Sequence, residues 1–196
     1  MLLRPQDVVV AAKLVSYGGK RPPMARMGLE LALSASEVHA SIHRLQAAHL
    51  IHGASASLVG LRAAAGADGR HFANGLLESK PNVKAIEEFF LHGVKYFFPA
   101  ERGELTRGVP TSYAAEPLKR RILVANETPL VWPYAEGEVR GESLQPFYKG
   151  VPVAALRDPF LHEILALLDA LREGRAREQN IAERELVTRL NAKRHA

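Results

Sequence analysis

Apolar residues in the first third of the chain fall at helical spacings, separated by proline, glycine and serine. Pro5 fits the first turn of a helix, where its missing N–H costs nothing, and Asp7 suits the positive end of the dipole. The run Val8-Val9-Val10-Ala11-Ala12-Lys13-Leu14-Val15 continues that helix, and Gly18-Gly19 stops it. Pro22-Pro23 permits a second start, with Met24, Met27 and Leu31 forming one stripe. Ser34-Ala35-Ser36-Glu37 predicts a capping box: the serine oxygen takes the Glu37 N–H and the carboxylate reaches back. Val38, Ile42, Leu45 and His49 then mark the inner face of a third helix. At about 100° per residue, Ser36, Ala40, His43, Arg44 and Ala47 fall on the outward face, flanked by Glu37 and His39.

Beyond Leu50-Ile51 the pattern changes. Leu58-Val59-Gly60-Leu61-Arg62 and Arg70-His71-Phe72-Ala73 read as short strands, and Asp68-Gly69 between them favours a turn. Three helices and a hairpin with an arginine on each arm follow the order of a winged helix-turn-helix. A helix is expected from Asn82, with Val83, Ile86, Phe90, Val94 and Phe97 inward. Residues 99–152 hold seven of the twelve prolines, which argues for extended segments wrapped over a core. Ile122-Leu123-Val124 and Leu130-Val131-Trp132 are the strand candidates there. Asp158-Pro159 starts another helix as N-cap and first residue. Its apolar arc, from Phe160 to Leu171, is wide enough to require burial in its own domain or against a second subunit. Gly174 interrupts it, and the charged tail keeps Leu186, Val187 and Leu190 on one side.

The fold class expected is mainly α with small β: a winged helix-turn-helix over 1–80, an α+β dimerisation or partner module over 81–173, and a charged terminal helix over 174–196. Apolar residues make up 47% and charged residues 24%, which are globular proportions. The absence of cysteine excludes disulfides, thiolate catalysis and iron–sulfur clusters. No run approaches the roughly 20 apolar residues of a membrane helix. Pro5 and Asp7 come too early for a secretory leader, so a cytoplasmic protein is expected. Charge is uneven: net +4 over 1–80, −2 over 81–171 and +3 over 172–196. A basic first segment beside an acidic middle fits a polyanion-binding module joined to something with another task.

The stretch from Leu33 to Ile51, Leu-Ser-Ala-Ser-Glu-Val-His-Ala-Ser-Ile-His-Arg-Leu-Gln-Ala-Ala-His-Leu-Ile, resembles the recognition-helix segment of MarR-type winged helix bacterial regulators. It departs from them at His49, where such sequences usually have glycine, and in its long alanine-rich hairpin. The resemblance implies double-stranded DNA as partner. Ser36, His39, Ala40, His43 and Arg44 would face the major groove, about 12 Å wide. Arg62 and Arg70 would meet phosphates or the minor groove from the wing, or simply decorate a surface hairpin. Arg44 reads either as a guanine or phosphate contact or as a solvated arginine.

No catalytic motif is present: no phosphate-cradling glycine loop, no nucleophile elbow and no zinc-protease helix. Neither enzyme activity nor a cofactor is expected. His39 and His43 have the spacing of a metal-binding pair, but zinc needs further ligands and the sequence nominates none. Two functions remain. One is a dimeric transcriptional regulator, more naturally a repressor, because two-fold symmetry doubles the base pairs read. The other is an antitoxin-like or accessory protein whose proline-rich, aromatic residues 82–172 bind a protein partner while the winged helix autoregulates.

Overall fold

The computed structural model describes residues 2–18, 21–52, 80–122 and 128–194, and among these the chain is mainly helical with a small sheet component. Three helices come first: α1 (Pro5–Ser16), α2 (Met24–Leu31) and α3 (Ala35–Ala47). Pro5 opens α1, and the Asp7 carboxylate accepts the Arg4 backbone N–H at 2.8 Å, satisfying a donor at the helix start. The second helix begins after Pro23, buries Met27 and Leu31, and ends at Ala32 in the left-handed conformation. The capping box of α3 forms as the sequence predicts: Ser34 Oγ accepts the Glu37 N–H at 3.2 Å, and Glu37 accepts the Ser34 N–H at 2.8 Å.

A two-residue strand, β1 (Ile51–His52), pairs antiparallel with β2 (Lys80–Pro81). The expected hairpin from Leu58 to Ala73, with Arg62 and Arg70, lies outside the described residues. The helix expected from Asn82 is divided at Gly93 into α4 (Val83–His92) and α5 (Val94–Phe97). Ile86, Phe90 and Val94 are buried as expected, but Phe97, placed on the inner stripe by sequence, is 66% exposed.

The proline-rich middle differs most from its sequence reading. Among the described residues it is a closed three-stranded barrel of β3 (Arg102–Pro110), β4 (Leu130–Pro133) and β5 (Val139–Leu144). The strand over Leu130–Trp132 is where the sequence puts it. Ile122 lies in no strand, and Leu123 and Val124 are outside the described residues. Strand β3 runs antiparallel to both neighbours, which are parallel to each other, and Gly108 faces both Pro133 and Val139. Prolines stand at the ends of β3 and β4, where a missing N–H costs least.

Three helices finish the chain: α6 (Val151–Arg157), α7 (Pro159–Glu173) and α8 (Ala176–Arg194). Asp158 caps α7 as expected, its carboxylate accepting the Leu161 N–H at 3.1 Å. The wide apolar arc of α7 is buried inside this chain, against α1, α4, α5, α6 and α8. It therefore leaves no apolar face for a second subunit. Asp169 ties α7 to the barrel: wholly buried, it accepts from Thr111 Oγ1 at 2.7 Å, Trp132 Nε1 at 2.6 Å and Arg172 at 2.7 Å. Arg172 also donates to the carbonyls of Phe98, Pro99 and Gln145.

The core does not respect the boundary drawn by composition at 80/81. Val8 to Val15 are all buried, and α1 packs against both α3 and α7. One apolar cluster runs from Val8 to Leu190.

Candidate nucleic-acid interface

Helix α3 is anchored by Val38, Ile42 and Leu45, each with no exposed surface. That fixes which side chains face outward. Ser36 and His39 are exposed, Ala40 and His43 are half-buried at the edge, and Ala47 is exposed. Ser36 and Ala47 face outward as the helical wheel predicts, whereas His39, set at the flank by the wheel, is more exposed than Ala40 and His43.

Arg44 does not. It is 5% exposed and forms a two-pronged ion pair with Asp7 of α1, Nε to Oδ2 at 2.7 Å and Nη2 to Oδ1 at 2.6 Å. Nη2 also donates to Ser41 Oγ at 3.1 Å, and Asp7 is itself only 1% exposed. The hydrogen bonds from Arg44 to Asp7 raise the guanidinium pKa despite burial. Three of its five N–H donors are committed to Asp7 and Ser41, and burial keeps the guanidinium from reaching a base or a phosphate. Arg44 is thus a structural residue, and its assignment to the DNA-facing set is corrected. The wheel misplaced it because Ser41 and Arg44, one turn apart, extend the buried face with polar groups that an apolar stripe does not count.

His49 is corrected in the opposite direction. Assigned to the inner face, it is exposed and adopts φ +57° just after the last turn of α3. This left-handed position favours glycine.

Without Arg44, the outward face of α3 carries no lysine or arginine, only hydroxyl, methyl and imidazole groups with Glu37 and half-buried Gln46 at its sides. His39 Nε2 and His43 Nε2 are 3.2 Å apart, with ring centroids at 4.4 Å. Partial burial, and then the charge of His39, hold the His43 pKa below its ordinary value. His43 is therefore mostly neutral at physiological pH, a hydrogen-bonding group rather than a cation.

Positive charge at this end of the helix comes from elsewhere. Exposed Lys149 acts electrostatically on Glu37, at the start of α3. The turn before α6 is held there by Tyr148, whose hydroxyl donates to the Leu31 carbonyl. Sequence reasoning missed Lys149, and no local signal marks it, because only tertiary packing brings that turn to α3. His52 and Lys80, directly paired across β1 and β2, are also exposed.

Other chemistry is thin among the described residues. No group of three or more His, Cys, Asp or Glu side chains is arranged to hold a metal. A cavity of about 350 Å³ is lined by Arg121, Ile181, Arg184 and Glu185. Within that lining Arg121 is paired with Glu185 at 2.8 Å. No described helix is long and apolar enough to cross a membrane. Comparison with protein-family models, with curated proteins and with solved structures finds no match to this chain.

Proposed function

We propose that the chain is a sequence-specific DNA-binding transcriptional regulator, acting as a dimeric repressor, that lays α3 in the major groove. The observation that carries this reading is the two-sidedness of α3: one face wholly committed to the core, the other short, polar and free of bulk. A capped helix entered from α2 by a tight turn, and left through an antiparallel strand pair, supports the same reading. Ser36, His39, Ala40 and His43 supply the base-edge contacts, and Lys149 stands beside the N-terminal end of α3 to meet backbone phosphate. Arg62 and Arg70 remain the proposed wing contacts. The wide arc of α7 is not the dimer contact, because this chain already covers it.

The test is selection of DNA fragments by the purified protein, its own promoter included, followed by affinity measurement on the best fragment. His39→Ala should weaken binding by about 1–3 kcal/mol, as for a lost base contact. Ala40→Glu should abolish binding through charge and bulk, with the melting temperature of either variant unchanged. Equal affinity for every fragment, or full affinity in Ala40→Glu, overturns the reading.

One observation favours partner binding through residues 82–172. Tyr96 and Phe97 are 75% and 66% exposed on the short helix α5, a pair of aromatic rings presented to solvent. A stable complex that is lost in Phe97→Ser, with DNA affinity retained, would support it.

A further inference from the structure

We propose that His39 and His43 form a chelating site for a single divalent transition cation of the zinc–nickel–copper class on the outward face of α3. The two Nε2 atoms lie 3.2 Å apart, on rings one helical turn from each other. Zinc–imidazole bonds are about 2.0–2.1 Å long, so one cation bound by both nitrogens would see them at an angle of about 100°, close to tetrahedral. The helix therefore holds the pair already at the separation that chelation requires. Two neutral rings at this distance can share only one proton, and a cation in its place satisfies both lone pairs.

Imidazole nitrogen selects zinc, nickel or copper over magnesium or calcium, which prefer oxygen. No third His, Asp or Glu joins the pair among the described residues. The remaining coordination positions are then filled by water or by a donor from outside, which makes the site open and exchangeable rather than structural. Chelation does not depend on the DNA-binding reading. Its consequence does: a bound cation adds two positive charges to a helix face that has no lysine or arginine of its own.

The test uses the full chain without DNA, so that failure of the DNA reading leaves the result intact. Zinc, nickel and magnesium chlorides are titrated separately at neutral pH, by calorimetry and by the ring resonances of the histidines. A 1:1 step is expected for zinc and nickel and none for magnesium, with the His39 and His43 signals moving together. His39→Ala and His43→Ala should each weaken that step about tenfold or more, since each removes one of the two ligands and even outer-shell partners are worth that much. The double variant His49→Ala/His52→Ala should keep it. Circular dichroism checks that the variants fold, which the exposure of His39 favours. Unchanged isotherms in both single variants, or a step that follows His49 and His52 instead, overturn the proposal.

Discussion

Asp7 and Arg44 show how one residue pair changes role between sequence and structure. Asp7 is legible as a helix N-terminal carboxylate, and it does accept the Arg4 N–H. Its second task, receiving both prongs of Arg44, is written nowhere near it in the chain. Removing one partner of such a pair leaves a buried charge unopposed, which costs far more than the pair itself contributes. Arg44→Ala and Asp7→Ala are each expected to destabilise the fold by about 3–5 kcal/mol in urea unfolding. The joint replacement Asp7→Leu/Arg44→Met should recover much of that loss. If Arg44→Ala instead leaves the unfolding midpoint in place and reduces only DNA affinity, the buried role assigned to it is wrong.

At the scale of elements, the helices other than α6, and apart from the break at Gly93, were legible because their signals are local. Pro5, the Ser34–Glu37 box and the Asp158 cap each act within one turn of the residues they organise. The barrel was not. Its strands are specified by which backbones converge, and glycine is required where they do. A Cβ on Gly108 would collide with the Trp132 carbonyl oxygen, and one on Gly141 with the Pro129 carbonyl oxygen. Gly103, in the same sheet, would meet only the rotatable Ser143 hydroxyl end. Gly141→Ala should therefore cost about 1–3 kcal/mol of stability through backbone displacement. Gly103→Ala should cost much less in the same denaturation measurement, and equal losses would refute the close-approach argument. In sequence, these glycines and prolines read only as breakers of regular structure.

At the scale of the molecule, a charged cluster joins the first helices to the last. Lys13 of α1, 5% exposed, meets Glu30 of α2 at 2.9 Å and Asp158 at the start of α7 at 2.7 Å. Tyr17 and Arg26 also donate to Glu30, and Ser16 to Asp158. Burial alone would raise both carboxyl pKa values, but the hydrogen bonds and charge of these donors lower them, that of Glu30 to about 2. A carboxyl depressed in the folded state stabilises it above the unfolded pKa, and that contribution is lost as pH falls through the folded value. Stability should thus decline between about pH 4.5 and pH 2, by about 1 kcal/mol for Glu30 after solvent screening. Thermal melts of wild type and Glu30→Gln across that range check it: the variant should be less stable at neutral pH and flatter in acid. Parallel curves would show that Glu30 does not couple to folding.

The sequence by itself determined α1 to α3, α7 and α8 with the caps at Pro5, Ser34 and Asp158, the inner positions Val38, Ile42 and Leu45 of α3, the apolar arc of α7, and the small polar character of the outward side of α3. These follow from contacts within one or two helical turns, which spacing reports directly. The tertiary structure alone decided that Arg44 is buried, that the proline-rich middle closes into a barrel, that α7 is covered by its own chain, and that Lys149 stands beside α3. Each depends on a partner far away in the chain, and hydrophobic spacing carries no record of which distant group will arrive.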